Sequence, residues 1–441
     1  MANQEGKIKV CVIGAGAAGL CAVRHLAANT TFEVTAYEQT NDIGGTWVYK
    51  EQVGLDDNGL PIHSSMYQNL SNMIPSTMFL VLLYRTNLPA KIMNFPDYIT
   101  MEGQEPSCVS HQEVLNYLKD YAQHFDVHRY IELNTKVESV QFVSSDHSNQ
   151  DKWSVQVRKL KTEEMELRYF DAIMVCNGHY FDPYVPTITG IESFPGLILH
   201  SHAYRRPDEF SGKTVLVLGA GSSGIDIGID LSNQATRVYL SHNHDRLTSS
   251  LPSNMIQVAG IESIHETTFR LKDGTTVDAI DVFLLCTGYT YNFPFLDKNC
   301  GIKVNSNYVT PLYKHFINIE HPSMCIVGIP TVVVPFPMFH MQVQFFLALL
   351  QNRVNLPSKL IMLENSALKT QKKRHAHKLM DHQWDYNDSL AIAGGFDRLP
   401  LFYKLGYNAW SVQRSMNLLR YKDSKFIVSE DGQSVELVIP E

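Results

Sequence analysis

The hydrophobic pattern opens with a short apolar run, Val10 to Ile13, which breaks at a cluster of glycines and continues with helical spacing. A second apolar run, Phe32 to Tyr37, follows and ends at an acidic residue. Short apolar runs bounded by glycine are typical of buried strands, and a helix between two of them is typical of a parallel sheet. This stretch therefore predicts a strand, a tight turn, a helix and a second strand.

Further along, apolar residues with helical spacing extend to about Phe125. Ser110 and Glu113 have the spacing of a capping box, in which each side chain satisfies the other's backbone N–H, so the helix should begin there. Three strand-like segments then predict a meander whose last strand returns to the parallel sheet. These segments are Lys136 to Phe142, Trp153 to Arg158 and Leu167 to Cys176.

The second half of the chain repeats this order. The run Thr214 to Leu218 leads into another glycine cluster about 205 residues after the first, and Arg237 to Leu240 is the next strand. The repeat predicts an α/β fold with two Rossmann-like dinucleotide-binding domains, a larger one and a smaller one inserted into it. We place the first part of the larger domain at 1–180, the inserted domain at 181–285 and the second part of the larger domain at 286–441.

The first glycine cluster has the spacing of a dinucleotide-binding turn. Gly14 permits the turn, Gly16 lets the backbone approach a pyrophosphate, and Gly19 lets helix and strand pack closely. The helix N-terminus supplies N–H groups for the phosphates. Glu38 ends the next strand nineteen residues after Gly19, where a carboxylate accepts ribose hydroxyls and repels a 2′-phosphate. This site is predicted to bind FAD or NAD rather than NADP.

A second turn of the same kind begins the inserted domain. Its following strand ends in a serine instead of an acid, with cationic side chains just beyond it, and these groups suit a 2′-phosphate. NADPH is the expected ligand, and the identity of the phosphate-binding cation is left open. The predicted cofactor-binding residues are Gly219, Gly221, Ser222, Ser223, Gly224, Asp226, Ser241, His244 and Arg246.

Charge and apolar content narrow the function classes. A net charge of −8 argues against a nucleic-acid or anionic-membrane surface, and the one basic cluster, Lys372 to Lys378, is interpreted as a solvated helix face. No secretory segment precedes the first strand, and the longest apolar run, Met78 to Leu83, is too short to span a bilayer. We expect a soluble, cytoplasmic protein, or a secreted one if a signal peptide has been removed.

Cysteine and histidine spacing indicates neither a redox nor a metal site. The seven cysteines form no C-x-x-C pair, so no redox-active disulfide is expected. Three His-x-His pairs, at 200/202, 242/244 and 375/377, lack the accompanying Cys, His or carboxylate spacing of a recognisable metal site. We predict no metal.

Three further motifs resemble those of one family. They are Gly44-Gly-Thr-Trp47, the segment Phe194 to Tyr204, which matches F-x-G-x-x-x-H-x-x-x-[YF], and Cys286-Thr-Gly-Tyr289. Together with the two glycine turns they resemble flavin-containing monooxygenases over nearly the whole chain. The resemblance implies FAD in the first module and NADPH in the second. The residues that it adds to the FAD site are Gly45, Thr46 and Trp47.

The resemblance also implies a reaction. In the family, reduced flavin captures O₂ as a C4a-hydroperoxide, which delivers one oxygen atom to a soft nucleophile. We therefore expect an NADPH- and O₂-dependent monooxygenase that acts on a small tertiary amine or on a sulfide. An alkaloid is a possible amine substrate, and N-oxide formation would then serve detoxification. In its length the chain resembles the soluble insect alkaloid N-oxygenases. The alternatives are a Baeyer–Villiger oxygenase and a non-catalytic nucleotide-binding protein, and a homo-oligomer is left open.

The family also places a neutral amide over the flavin, in a Thr-Asn-x-Pro segment that matches Thr86 to Pro89. Such an amide can donate to a peroxy oxygen without adding charge, so Asn87 is the predicted catalytic residue and Thr86 a cofactor-binding one. The family glutamine near the flavin corresponds to Gln342. Residues 71–84 interrupt the family pattern, and we expect this insertion to displace Asn87 or to alter coupling, with Asn72 the second candidate.

Overall fold

The computed structural model describes residues 6–64, 66–67, 85–101, 106–144, 151–368 and 372–439. The predicted insertion at 71–84, including Asn72, lies outside the described residues. In the described ranges the helices are α1 (Ala17–Ala27), α2 (Ala90–Met93), α3 (His111–His124), α4 (Ser222–Leu231), α5 (Pro335–Leu350), α6 (Lys359–Asn365), α7 (Gln383–Gly394) and α8 (Leu401–Met416).

The first sheet has seven strands and carries the first glycine turn. Its strands are β1 (Ile8–Ile13), β2 (Phe32–Tyr37), β3 (Ile131–Glu132), β7 (Ala172–Val175), β18 (Leu312–Tyr313), β19 (Ile317–Asn318) and β20 (Met324–Ile326), in the order β18-β19-β20-β7-β1-β2-β3. The five strands from β20 to β3 run parallel, so their carboxyl ends share one edge. The predicted succession of strand, turn, helix and strand is confirmed by β1, α1 and β2.

The predicted meander is present as β4 (Thr135–Ser144), β5 (Asp151–Lys159) and β6 (Glu164–Phe170). The prediction of one strand from Leu167 to Cys176 was wrong, because the chain breaks at Asp171 and enters the other sheet as β7. The Asp171 carboxylate accepts a hydrogen bond from the Lys9 N–H at 2.8 Å, and the Asp171 N–H donates to the Lys9 carbonyl. This exchange fixes the point where the chain changes sheets.

The second sheet is parallel throughout and carries the second glycine turn. Its strands are β8 (Leu197–His200), β9 (Thr214–Leu218), β10 (Arg237–His242), β11 (Met255–Ala259) and β15 (Val282–Leu285), in the order β11-β10-β9-β15-β8. β9 and β10 were predicted, but β8 and β11 were not. A three-stranded antiparallel sheet of β12 (Ile261–His265), β13 (Thr268–Leu271) and β14 (Thr276–Val277) packs beside it. The described chain also has two strand pairs, β16 (Lys303–Asn305) with β17 (Tyr308–Thr310) and β21 (Lys425–Val428) with β22 (Val435–Val438).

The period-two alternation of β1 separates the layers around the first sheet. Val10 and Val12 lie in a core formed with α1, α3 and α5, whereas Cys11 and Ile13 lie in a core formed with the meander. All four side chains are buried, so both faces of the sheet are covered. The glycine turn at the end of β1 is therefore fixed from both sides.

Candidate active site

Two glycines of the first turn are required by the protein's own packing. Gly14 has φ +101°, and a Cβ there would lie 2.6 Å from the Cys176 carbonyl oxygen. A Cβ at Gly19 would lie 1.9 Å from the Gly14 carbonyl oxygen, because helix α1 packs directly on the turn. Any side chain at either position would force backbone to move.

Gly16 differs from its two neighbours in the turn. A Cβ there would meet only the Gly45 backbone, at 3.5 Å, which is an ordinary contact. Packing within the protein therefore does not demand glycine at this position. Gly16 is the N-cap of α1, where backbone N–H groups without helical partners face outward, so the open space suits a pyrophosphate. The turn fits the dinucleotide that the sequence predicts.

Glu38 lies directly after β2 and is almost completely buried. Its Oε2 accepts the Ala15 N–H at 2.8 Å, and its Oε1 accepts both the N–H and the hydroxyl of Thr40, each at 2.8 Å. A carboxylate has about four acceptor positions, so one remains for a ribose hydroxyl. The same bonds tie the ends of β1 and β2 together.

The Gly44–Trp47 segment packs against the glycine turn. The Gly44 N–H donates to the Ala15 carbonyl at 3.0 Å, and Gly44 itself has φ +115°. The Thr46 hydroxyl is buried and has no hydrogen-bond partner in the described part of the chain. An orphaned buried hydroxyl beside an open turn is the sign of a polar ligand group. Trp47 stands edge-on to Phe336 of α5, at 6.3 Å between ring centroids.

The second turn repeats this arrangement closely. Gly219 has φ +112°, and its Cβ would lie 2.4 Å from the Cys286 carbonyl oxygen, while a Cβ at Gly224 would lie 1.8 Å from the Gly219 carbonyl oxygen. The middle glycine, Gly221, is again the open one, with nothing within 4 Å of its Cβ position. Ser222 and Ser223 form the first turn of α4 beside it. The second turn therefore also suits a phosphate. We call the open space at Gly16 the first cradle and that at Gly221 the second cradle.

Asp226, predicted to contact the cofactor, does not face this cradle. Its carboxylate is buried and lies 2.8 Å from the ammonium of Lys422, which is also buried. The Lys422 ammonium donates in addition to the Arg85 carbonyl at 3.1 Å. The prediction for Asp226 was wrong, because its place on α4 turns it toward the C-terminal segment instead of the ligand. It joins the second module to Arg85 of the first.

Ser241 also differs from its predicted role. Strand β10 continues to His242, and the Ser241 side chain is completely buried, with its hydroxyl donating to the Ala259 carbonyl at 2.8 Å. The serine therefore replaces the acid without presenting its hydroxyl to a 2′-phosphate. His244 and Arg246, by contrast, are both exposed just beyond the strand.

Gln257, which sequence reasoning missed, positions the loop that carries these cations. Its amide accepts the Leu247 N–H at 2.8 Å and donates to the Leu247 carbonyl at 3.1 Å. Arg246 and Gln257 also line one cavity of about 360 Å³ beside β11. A single glutamine carries no sequence signal for this role, because its partner is backbone.

The basic cluster at 372–378 is not a helix face. It forms a single 3₁₀ turn, Lys373–His375, and Arg374 donates to the Thr287 carbonyl at 3.4 Å. Burial lowers the pKa of His375, as do the neighbouring cations Lys378, Arg374 and Lys372 and the nearby His244 side chain. His244 and this turn therefore contribute to the same positive region beside the second cradle.

The segment Phe194 to Tyr204 joins the two modules. His200 bonds the Gly288 carbonyl at 3.0 Å, and burial lowers the pKa of His200 to about 4. His202 bonds the Ile62 carbonyl of the first module at 2.9 Å. Tyr204 is fully buried, with its hydroxyl on Asp230 of α4. The motif thus holds the modules together and presents no tyrosine hydroxyl at the nucleotide site.

Arg205, which follows this motif, strengthens the same junction. Its guanidinium is buried and donates to the carbonyls of Lys50 at 2.7 Å and Ser64 at 3.3 Å in the first module. It also donates to the His202 carbonyl at 2.8 Å. A buried arginine surrounded by carbonyl groups fixes the backbone that carries them. In the sequence, the position of Arg205 next to the motif was the one signal that could have indicated this role.

Comparison with known proteins decides the family. A family model described as flavin-binding monooxygenase-like matches residues 7–247 and 242–393. The chain belongs to this family. A relative from Arabidopsis thaliana, flavin-containing monooxygenase FMO GS-OX-like 2, is 34% identical over 95% of this chain and 92% of its own length.

Two solved structures place the fold in the same family. S-allyl-L-cysteine S-oxygenase from Allium sativum is 33% identical, with a TM-score of 0.83 and 95% of each chain covered. Tmm from Pelagibacter sp. strain HTCC7211 is 26% identical, with a TM-score of 0.80 and coverage of 97% of this chain and 95% of its own. The resemblance drawn from the motifs is confirmed, as are the two Rossmann-type domains. This flavin-containing monooxygenase uses FAD and NADPH.

In the predicted catalytic segment of the monooxygenase, one side chain is held by hydrogen bonds within the protein and the next is exposed. The Thr86 hydroxyl donates to the Leu88 carbonyl at 2.6 Å and accepts the Val109 N–H at 3.2 Å, so this side chain holds the loop. Asn87, which lies between Thr86 and Leu88, is exposed. Thr86 therefore positions the segment, and Asn87 is its exposed member.

Gln342 of α5 is completely buried, and both ends of its amide are engaged. Its Oε1 accepts the Gly328 N–H at 2.9 Å, and its Nε2 donates to the Tyr386 hydroxyl at 2.7 Å. Gly328 follows β20 at the carboxyl edge of the first sheet, so Gln342 orients a turn of that edge.

Among the described residues of the monooxygenase, no helix is both long and apolar enough to cross a membrane.

Proposed function

We propose that this chain transfers one oxygen atom from O₂ to a soft nucleophile, with NADPH as the electron donor and a small organic sulfide as the favoured substrate class. The observation that carries the proposal is the pair of open cradles, at Gly16 and at Gly221, each at the end of a parallel strand, in two sheets joined through the Phe194 to Tyr204 motif. The similarity to S-allyl-L-cysteine S-oxygenase favours sulfur over nitrogen. A tertiary amine, such as an alkaloid, is the second substrate class.

The charges beside each cradle support one assignment of the cofactors. Glu38 lies at the end of β2, where a carboxylate accepts ribose hydroxyls, so FAD belongs to the first cradle. His244, Arg246 and the turn at 373–375 lie beyond β10, where cations suit the 2′-phosphate of NADPH. The division of the chain at 180 and 285 remains part of this proposal.

Bound flavin supplies the redox and oxygen chemistry, and the protein supplies position and surroundings. The Gly16 turn and the α1 N-terminus would hold the pyrophosphate, while Trp47 and Phe336 form an apolar wall near the turn. A dry, apolar site protects reactive oxygen species from water. Asn87 is proposed as the amide that stabilises the reacting oxygen, with Thr86 fixing its loop.

The test is product mass analysis after turnover with NADPH, O₂ and a panel of sulfides, tertiary amines and cyclic ketones. A sulfoxide as the main product supports the proposal, and an N-oxide supports the second class. A lactone from the ketone would instead favour a Baeyer–Villiger oxygenase. NADPH oxidation no faster than that of the free cofactors would favour a non-catalytic protein. Release of hydrogen peroxide should rise in Asn87→Ala and stay unchanged in Asn408→Ala, an exposed asparagine of α8.

A further inference from the structure

A cluster of metal-ligating side chains lies between α1 and α5, apart from both cradles. Cys21 and His25 are one helical turn apart on α1, and His340 faces them from α5. The Cys21 Sγ and one ring nitrogen of each histidine all lie within 4.8 Å of one another, and the His25 Nε2 lies 3.1 Å from the His340 Nδ1. Cys21 is completely buried and His340 is 7% exposed. Because the members come from distant parts of the chain, no spacing in the sequence could indicate them.

Asp97 adds a carboxylate to this cluster. Its Oδ2 lies 3.6 Å from the His25 Nε2, and its Oδ1 lies 3.6 Å from the His340 Nδ1. Both oxygens are buried and lack a well-formed hydrogen bond within the described chain, although the Arg24 Nε lies 2.9 Å from Oδ2. Asp97 does not belong to the set of donors that lie within 4.8 Å of one another, so its carboxylate must move closer to the other three to serve as a fourth ligand.

We propose that Cys21, His25, Asp97 and His340 bind one zinc-class divalent metal ion in a closed structural site. Zinc prefers four tetrahedral ligands from thiolate, imidazole and carboxylate, which are the groups present. With Zn–N of 2.0–2.1 Å, two ligating nitrogens lie about 3.4 Å apart, and with Zn–S of about 2.3 Å a sulfur and a nitrogen lie about 3.6 Å apart. The observed 3.1 Å between the His25 Nε2 and the His340 Nδ1 requires an opening of a few tenths of an ångström.

Charge and proton positions are consistent with such a site. A thiolate and a carboxylate carry two negative charges against the two positive charges of the metal, the Arg24 guanidinium adds one positive charge beside Asp97, and the thiol proton leaves to solvent. The proton between the two imidazole nitrogens at 3.1 Å moves to the outer nitrogen of the same ring, so both imidazoles stay neutral when the metal takes its place. The Gln344 Nε2 lies 2.6 Å from the His340 Nε2, and a flip of this amide would place its carbonyl there to accept the ring N–H and leave Nδ1 free for the metal.

The metal would connect parts of the chain that carry the first cradle. Helix α1 begins at the Gly16 turn, and α5 carries Gln342, which orients the Gly328 turn. A metal bound by both helices and by Asp97 fixes their relative positions. Its loss is expected to lower the thermal unfolding temperature without changing the substrate class.

The experiment uses the FAD-bound full chain, expressed without a histidine tag. Elemental analysis by plasma mass spectrometry should find about one zinc per chain, since closed four-ligand sites retain their metal. After removal by a chelator, added Co²⁺ should give the charge-transfer absorption of a cobalt thiolate. Cys21→Ser should abolish this absorption, whereas Cys325→Ser, at an equally buried cysteine of the same core, should keep it. Gln344→Ala should weaken metal binding by about 10- to 100-fold.

Two results would overturn the metal site. One is wild-type holoprotein that holds no transition metal and gives no cobalt–thiolate absorption, which needs no variant to fold. The other is a cobalt absorption that survives in Cys21→Ser. In either case the four side chains are a buried hydrogen-bonded ion cluster held by Arg24.

Discussion

Each glycine turn contains two glycines that packing requires and one that it leaves open. The sequence motif alone treats all three alike, whereas the position of the absent Cβ distinguishes them. Gly16 and Gly221 are conserved in role between the two modules of this chain even though their surroundings differ. They are therefore the residues at which cofactor binding can be changed with little effect on folding.

Gly16→Ala should fold with a stability within about 0.5 kcal/mol of the wild type, because its Cβ makes only an ordinary contact. FAD affinity should fall at least about tenfold, since the methyl group occupies the pyrophosphate position, and tenfold corresponds to about 1.4 kcal/mol. Gly221→Ala is the matched control, which should keep its FAD and raise the KM for NADPH instead. Flavin absorbance per chain after gel filtration measures the first effect. Full retention of FAD in Gly16→Ala would show that the site is misplaced.

Arg246→Ala should reduce the kcat/KM for NADPH by about 10- to 100-fold, because a hydrogen bond to a charged group contributes about 1.5–3 kcal/mol. The efficiency with NADH, which lacks the 2′-phosphate, should stay unchanged. Stopped-flow reduction of the flavin by each nucleotide gives both values. Arg237→Ala, an exposed arginine at the opposite end of β10, should change neither. If His244→Ala has the larger effect, the histidine is the phosphate ligand.

Elements with local signals were predictable, and elements fixed by distant partners were not. The capping box of α3 was predicted from Ser110 and Glu113 and is formed, with the Ser110 N–H bonded to the Glu113 carboxylate at 2.7 Å. Strand β8 was missed because it lies inside the family motif and depends on pairing with β15. The ion pair of Asp226 with Lys422 joins residues 196 positions apart, which no spacing rule detects.

Asp226→Asn should destabilise the fold by about 3–5 kcal/mol, because it leaves the buried Lys422 ammonium without its carboxylate. The KM for NADPH should not change, since Asp226 does not face the cradle. Denaturant unfolding of the holoprotein measures the loss, and the double variant with Lys422→Met should recover part of it. Glu320→Gln, which removes an exposed pair with Lys359, should cost at most about 1 kcal/mol. A change in KM without a loss of stability would restore the cofactor role of Asp226.

Across the described molecule, the buried His377 and the half-buried His63 and His179 couple stability to pH. Burial lowers the pKa of His63 and His179 to about 4 and that of His377 to about 3, and neighbouring histidines lower those of His63 and His377 further. Their ordinary value is about 6.5 in the unfolded chain, so the unfolded state binds more protons below that pH. Their contribution to stability is complete above pH 6.5 and is lost as the pH falls toward the folded values.

The unfolding free energy should therefore fall by at least about 2 kcal/mol between pH 6.5 and 4.5, since one unit of pKa shift corresponds to about 1.4 kcal/mol. Denaturant titrations across this window provide the measurement. His377→Gln should show a shallower decline, because glutamine can accept the Val309 N–H without titrating. An unfolding free energy that is flat across the window would contradict the neutral state of these imidazoles.

The two modules and their junction form one arrangement that carries the FAD and NADPH of this flavin-containing monooxygenase. The fold, the cofactors and the family followed from motifs spread over the chain, whereas the contacts of His202 and Arg205 with the first module required the structure. Family membership fixes the class of enzyme. The identity of the substrate is what the sequence could least determine.

The most direct test of this account is turnover with isotopically labelled O₂, NADPH and a small organic sulfide. Mass spectrometry of the product and assay of hydrogen peroxide are carried out on the same reaction. The account predicts a sulfoxide that carries one labelled oxygen atom, formed in equal amount to the NADPH consumed. NADPH consumption that yields only labelled hydrogen peroxide, with the sulfide and a tertiary amine both unchanged, would contradict it.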